Sequence, residues 1–566
     1  MEVCCFTKQD KQGKGRGDSR RRGKSGRKRD NVRKISNLNK VTSKEATQVK
    51  MMGTMPSVPQ TVKQQFILFR HIDQQADCPD PTSSPAEDKS TEVVTKTTEP
   101  APTTQPTIPT TTATIPTTEG PVIMECGVVI VGGGAGGLLL AFMLLDKKLE
   151  TSVCIFEKEN RLGGKIYDHV FSEAPDRTVG LGQLLVLGHN GEERRVFTNL
   201  LKFIDLRAWE RILTKVEVRG VFAADFDNLQ PNPFPALNRS GTVRKMADDV
   251  TKANSFVYYS ARDFLSDYLS PEGMELVEDA YGLKYRLDDV NPESYKKYLE
   301  EKLLDEGRRG FDQRPVKGLS KLIELLRDKV NELNGTIRFP EKVTSVFKEG
   351  GKFRLQTTNR TVIANKTVLT VAPAALKDIT GNVMQNITDH KILRSIVSVP
   401  AFLGAAVYQN AWWEDSILPK DLFISSGYCL GITMPYEKSS VSGKSVLQTI
   451  ANTGSCSVLW GSKLAKLPKE DFETELKRAL QYKFQRNISD ALSTVYKYWE
   501  NGFWYLQKAG TNFSLEEIRT WAKRPLPGSD VFLIGKAFYN FGGWLEDTIR
   551  STNETLVEGW RTELKP

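Results

Sequence analysis

Five glycines in six residues, Gly132-Gly133-Gly134-Ala135-Gly136-Gly137, stand between two apolar patterns. Before them, Val128–Val131 is an unbroken apolar run, as expected of a strand buried on both faces. After them, Leu138–Leu145 reads as a helix. A second apolar segment, Ser152–Phe156, ends at Glu157, 20 residues past Gly137. Strand, tight turn, helix, strand and acid is the arrangement that holds a dinucleotide. Gly132 permits the turn, Gly134 lets the backbone approach a pyrophosphate, and Gly137 lets the helix pack on the strand. The first helical turn, with Ala135 and Gly136, offers N–H groups and the positive end of the helix dipole to phosphates. Glu157 falls where a carboxylate accepts both ribose hydroxyls.

The residues just past the acid narrow the choice. Lys158 is next, and Arg161-Leu162-Gly163-Gly164-Lys165 comes shortly after. Here the chain resembles the flavin amine oxidase family, which includes monoamine, polyamine and L-amino acid oxidases and carries an RxGGR signature near the flavin diphosphate. The final Arg is Lys165 in this chain, which keeps the cation and loses the planar fork. The resemblance continues in order to about residue 560. Residues 318–326 resemble a helix that precedes the family's V-x-x-I stretch. Residues 338–379 resemble that stretch and its β-meander, so Val343 is expected to meet the adenine through its backbone. The segment FLIGKAFYNFGGWLEDTIRST (532–552) resembles the family's closing block. By that match Gly535, Lys536, Trp544, Leu545 and Glu546 lie at the flavin, and Gly182 and Gln183 belong to an earlier glycine element beside it. The resemblance implies FAD as cofactor. No cysteine matches a covalent attachment point, so noncovalent binding is expected.

The family reaction is hydride transfer from the carbon next to an amine to the flavin. O2 then reoxidises the flavin and hydrogen peroxide is released. Three departures bear on it. Many members place a Lys about ten residues before a Trp in a substrate-domain strand; counting back ten from Trp413 gives Leu403. L-amino acid oxidases fork the substrate carboxylate with an Arg after a conserved acid; those positions hold Leu185 and Gly180. A leucine cannot pair a carboxylate, and leaving one buried and unpaired is costly. The family's closing Gly-Glu is Gly535-Lys536, which reverses a charge near the flavin. The aromatic residues Phe503, Trp504 and Tyr505 precede Lys508-Ala509-Gly510, where the family has an aromatic facing the flavin. With Trp544 they could sandwich an amine. Trp544, Phe503, Tyr505 and Lys536 are thus the candidates for the reacting end. Two readings result. One is a secreted FAD-dependent amine oxidase acting on a small-molecule amine with O2. The other is a catalytically silent flavoprotein used as a secreted binding or matrix protein.

The elements that must position these residues make an α/β fold. It has a Rossmann-like FAD-binding domain of the GxGxxG type and a discontinuous α+β substrate domain. The expected FAD domain is 123–190 with 310–375 and 505–566. The expected substrate domain is 191–309 with 376–504, helical over 261–306 and rich in alternating apolar segments over 395–460. Residues 1–90 are expected to be a disordered basic tail, and residues 91–120 a mucin-like linker with 13 Thr and five Pro in 30 residues.

The 566-residue chain has 39% hydrophobic and 26% charged residues, ordinary for a globular protein. Its net charge of +10 is a property of the tail: residues 1–50 carry 16 Lys/Arg against five Asp/Glu, so the other 516 residues sum to about −1. That balance argues against a nucleic-acid-binding core, though the tail could bind polyanions. No run of 18 apolar residues suggests a membrane span. Four histidines and no CxxC give no metal site. Eight Asn-x-Ser/Thr triplets and the Thr/Pro linker point to secretion, although no signal peptide follows Met1. Cys154, in an apolar strand, reads as a buried thiol, and Cys429 and Cys456 could pair.

Overall fold

In the computed structural model, residues 123–183, 317–414, 429–539 and 545–562 are described continuously, with shorter stretches between 206 and 315 and at 423–425. The chain divides into two units, Met1–Glu92 and Val93–Pro566, and all described residues lie in the second. The expected basic tail and Thr/Pro linker fall outside the described residues.

The chain enters on β1 (Ile123–Val131), turns into α1 (Ala135–Asp146) and returns on β2 (Val153–Phe156). A small antiparallel pair comes next, β3 (Asp168–Val170) and β4 (Thr178–Gly180). The next stretch contributes short strands β5 (Leu206–Ala208), β6 (Lys215–Val218) and β7 (Val221–Ala223), helix α2 (Ala261–Ser266) and strand β8 (Gln313–Pro315). Helix α3 (Ser320–Glu332) leads into β9 (Thr336–Arg338) and the meander β10 (Val343–Glu349), β11 (Lys352–Thr357) and β12 (Thr361–Leu369). Short helices α4 (Pro373–Leu376), α5 (Asn382–Thr388) and α6 (Lys391–Arg394) precede the long strand β13 (Ile396–Tyr408). Then come β14 (Phe423–Ser425), β15 (Gly431–Pro435) and β16 (Ser445–Thr453), helices α7 (Ser455–Lys466) and α8 (Lys469–Phe484), and β17 (Ser493–Gln507). The chain closes with α9 (Leu515–Lys523), β18 (Val531–Leu533) and α10 (Leu545–Trp560).

Two seven-stranded sheets organise these elements. The first runs β10-β11-β12-β1-β2-β9, with β18 also on β12. Its centre is parallel: Val131 stands beside Phe156 on β2 and Leu369 on β12. Strand β1 is apolar throughout its C-terminal half because both its faces are covered. Val128 and Ile130 pack under α1 and α3, while Val129 and Val131 pack with β10, β11 and α9. Helix α1 buries nine of its 12 residues, being enclosed by the sheet, α3 and α10. That explains why its sequence is apolar on almost every side.

The second sheet runs β17-β13-β16-β15-β14-β6-β7. One face of β13, with Phe402 and Ala406, packs on α7 and α8. The other, with Ala401, Leu403, Ala405 and Val407, packs on Phe171, Val179 and Leu181 around β3 and β4. The apolar alternation expected as far as residue 460 stops at Thr453. From Gly454 on, the apolar residues follow a helical spacing and form α7.

Cys154 differs from its expected state. It is bonded to Cys126, with the two Cα atoms 6.1 Å apart. The two cysteines lie on neighbouring parallel strands, β1 and β2, with their Cα atoms within disulfide reach. Sequence spacing could not show this, because the partner lies 28 residues away across a helix. Cys429 and Cys456 are also bonded.

Candidate cofactor and active site

The glycine loop sits at the C-terminal ends of β1, β2 and β12, where ligands bind in open α/β sheets. Gly132 has φ +110°, and a Cβ there would lie 2.5 Å from Thr370 Oγ1. Gly137 packs so tightly that a Cβ would lie 2.2 Å from the Gly132 carbonyl oxygen. At Gly136 a Cβ would press Thr548 of α10 at 2.9 Å. Gly134 differs. It starts α1 without a side-chain cap, and the nearest atom to its absent Cβ is 3.8 Å away. Its missing side chain leaves space, whereas those of Gly132 and Gly137 relieve clashes.

Glu157 ends β2 with its carboxylate beside this loop. The Gly133 N–H donates to Glu157 Oε2 at 2.7 Å, and the Glu159 N–H donates to Oε1 at 2.9 Å. The backbone of Glu157 also bonds Arg338 and Glu341, the approach to Val343. Val343 itself is a core residue at the start of β10.

The second glycine pair lies on the first. The Gly163 N–H donates to the Gly133 carbonyl at 2.9 Å, and a Cβ on Gly164 (φ +56°) would lie 3.3 Å from Gly134 Cα. Arg161 holds this loop in shape: its guanidinium donates to the Leu162, Gly164 and Ile166 carbonyls and lies 4.6 Å over the Tyr167 ring. Lys158 instead faces outward and pairs with Glu159 at 3.6 Å.

Lys165 turns inward. Its ammonium donates to the Tyr505 hydroxyl and lies 4.3 Å from that ring's centre. Burial holds the Lys165 ammonium well below the usual lysine range, and the Lys536 amine adds to the effect. Lys536, also buried, lies 4.6 Å over Phe503 and 5.5 Å over Trp504. Burial likewise raises the Tyr505 hydroxyl above the usual tyrosine range. The structure therefore brings Lys165, Lys536, Phe503, Trp504 and Tyr505 together from segments up to 371 residues apart in sequence.

Gly182 and Gln183 complete this side. The Gln183 N–H donates to the Lys165 carbonyl at 2.9 Å, and a Cβ on Gly182 would lie 2.0 Å from that same oxygen. Trp499 closes over the element, its indole N–H donating to Leu181 at 2.7 Å. Trp499, Phe503 and Trp504 follow one another with ring centres 6.2 and 6.5 Å apart, forming one aromatic wall. Gly535 donates to Ser551 Oγ at 3.1 Å, and Leu545 and Glu546 open α10. Trp544 and Leu185 lie outside the described residues.

The site contains residues that motif spacing did not single out: Tyr167, Trp499 and Lys497. Lys497 Nζ is 5.7 Å from the Tyr167 ring centre and 5.3 Å from that of Trp499. The signal for Lys497 and Trp499 is the alternation Val495, Lys497, Trp499, which sends all three to one face of β17. Only the strand pairing shows which face that is.

A family model described as flavin containing amine oxidoreductase matches residues 135–554. The chain belongs to this family. Its cofactor is a flavin, and the glycine cradle, the α1 N-terminus and Glu157 fit the nucleotide half of one. Wild-type putrescine oxidase shares the fold with a TM-score of 0.57 at 14% identity, over 77% of this chain and 99% of that one. Cyclohexylamine oxidase from Brevibacterium oxydans IH-35A has a TM-score of 0.59 at 16% identity, over 77% and 98%. A putative protoporphyrinogen oxidase from Exiguobacterium sp. 255-15 has a TM-score of 0.56 at 17% identity, over 77% and 98%. At these identities the likeness is one of fold. No curated protein sequence matches the chain significantly.

Proposed function

We propose that this flavin oxidoreductase binds FAD noncovalently and oxidises a small-molecule amine with O2, producing an imine and hydrogen peroxide. The observation that carries the reading is the joining of a glycine-rich nucleotide cradle to a half-buried aromatic wall near Lys165 and Lys536. A bound flavin would supply the acceptor for the hydride leaving the carbon next to the amine. The chain's own groups have separate tasks. Glu157 would hold the ribose hydroxyls, and the α1 N-terminus would face the pyrophosphate. Lys165 and Lys536 would offer N–H donors on the flavin side of the wall. The wall of Trp499, Phe503 and Trp504 would offer ring faces to the substrate.

Leu403, where the resemblance leads one to expect a lysine, and the two lysines near the wall support a substrate unlike those of ordinary members. The two disulfides and the exposed sequon residues Asn334, Asn359, Asn365, Asn386, Asn487 and Asn512 support a secreted, glycosylated protein. Among the described residues no helix is long and apolar enough to cross a membrane. The test is anaerobic mixing of the purified protein with a panel of amines, followed by admission of air. Bleaching of the flavin bands, then recovery with peroxide release, is expected for at least one amine. Flavin bands that no amine bleaches would instead favour the silent binding protein.

A further inference from the structure

The parallel strands of the first sheet finish at the glycine cradle, and their starts lie at the other end. Strand β1 pairs with β12 and β2, and β2 with β9, each in parallel. That far end is built as an overhang. Strand β2 joins β1 only from Val128, whereas β12 runs beside β1 from Ile123. Residues 123–127 and 361–365 therefore project past the start of β2.

Three Asn-x-Thr triplets meet at this end. Asn334 stands two residues before β9, Asn359 two residues before β12, and Asn365 within the overhang of β12. All three are exposed, and their side-chain amides make no hydrogen bond among the described residues. Each exposure has a local cause. Asn334 follows α3 with φ +60°, a left-handed position that asparagine tolerates at a helix end. Asn359 lies in the β11–β12 turn, its backbone N–H donating to Thr357 Oγ1 at 3.1 Å. Strand β11 leaves β12 after Ala364 and β18 joins it at Thr367, so Asn365 falls in the gap between them. Asn553 is the contrast. It is half-buried in α10 between the buried Thr552 and Thr555, on the helix that covers the glycine loop through Thr548.

We infer that Asn334, Asn359 and Asn365 carry N-linked oligosaccharides and that Asn553 does not. The inference rests on the proposed secretion of the protein. At each site the amide nitrogen loses a proton and bonds the anomeric carbon of an oligosaccharide, and the sugar's lipid diphosphate carrier leaves. Such a group is bulky and needs a surface position, which the overhang supplies. Strand β1 has nine residues, so a rise of about 3.3 Å per residue puts about 26 Å between its start and the glycine loop. The Thr/Pro-rich residues 91–120 join the chain at the same end, two residues before β1. Carbohydrate gathered there leaves the cofactor end of the sheet clear for substrate.

The test is expression of the full chain in cultured animal cells, once with its own N-terminus and once behind a secretion leader. The purified leader form is treated, without denaturant, with peptide N-glycosidase in heavy-oxygen water. The enzyme converts each glycosylated Asn to a labelled Asp, which mass spectrometry of its peptides locates. Label is expected at Asn334, Asn359 and Asn365 and not at Asn553, with the flavin bands unchanged by removal of the sugar. Label lacking at any of the three, or present at Asn553, would overturn the inference whatever the route of the protein. Loss of flavin on deglycosylation would overturn the separation of the two ends. A form with its own N-terminus that enters the medium carrying the same label supports secretion and inference together. The same form kept inside the cell without sugar, beside a labelled leader form, would overturn the secretion reading instead.

Discussion

Gly134 and Gly137, three residues apart, should respond in opposite ways to an added methyl group. At Gly134 the nearest atom is 3.8 Å from the new Cβ, so Gly134→Ala should fold with an unchanged melting temperature. It should lose at least tenfold in FAD affinity, because the methyl group occupies the space the pyrophosphate needs. At Gly137 the new Cβ meets a backbone oxygen at 2.2 Å, so Gly137→Ala should cost about 3 kcal/mol in stability, as overpacking does. Denaturant unfolding and flavin titration of the two variants check the pair. Equal losses of affinity and stability at both positions would contradict these roles. Lys165 gives a second prediction at this scale. Its folded-state pKa is lowered by burial, while the unfolded chain keeps an ordinary lysine. Across the interval between those values the unfolded state binds the extra proton, so this group adds stability as pH rises and removes it as pH falls. Flavin-free Lys165→Met should therefore melt above flavin-free wild type near pH 7, and the gap should close towards pH 10. A gap that widens with rising pH would contradict the placement. The motif residues were legible because GxGxxG chemistry is local: Gly132 to Glu157 spans one strand–helix–strand unit. Lys497 and Trp499 were not, because their meaning depends on pairing with β13, about 100 residues away.

Strands β1 and β2 carry the nucleotide loop, and the Cys126–Cys154 bond ties them together beneath it. A disulfide restricts the unfolded chain more as its loop grows, and loops of this size contribute about 3 kcal/mol. The double variant Cys126→Ser with Cys154→Ser should lose about that much stability and weaken FAD binding, measured by denaturant unfolding with and without FAD. Mass spectrometry of alkylated protein should find Cys126, Cys154, Cys429 and Cys456 modified only after reduction. Modification of any of the four under native, unreduced conditions would contradict the pairing. The apolar sequence of β2 suggested an inert thiol because packing and bonding look alike there: a buried cystine and a buried thiol both suit a strand covered on its two faces. Helix α1 was readable for the opposite reason. Its length and its position between two strands set its role without any tertiary knowledge, whereas the helical start of α7 at Ser455 was lost among apolar residues that also suit a strand.

At the scale of the molecule, charge and cofactor tell different stories. The positive balance belongs to residues 1–50, and the rest of the chain is close to neutral. The fold was legible from the order of motifs along the chain, because a nucleotide-binding unit at the start and a glycine-rich block at the end must meet around one cofactor. In the structure they do meet: Gly136 touches Thr548 of α10, and Lys165 stands near Lys536. The aromatic wall between them was only half legible, since Phe503, Trp504 and Tyr505 stood out while Trp499 and Tyr167 did not. The most direct measurement of the central claim is the visible absorbance spectrum of the purified, full-length protein, before and after denaturation. Two flavin bands are expected, in the near ultraviolet and the blue, with release of free FAD on denaturation. A colourless protein that takes up no added FAD would contradict the claim.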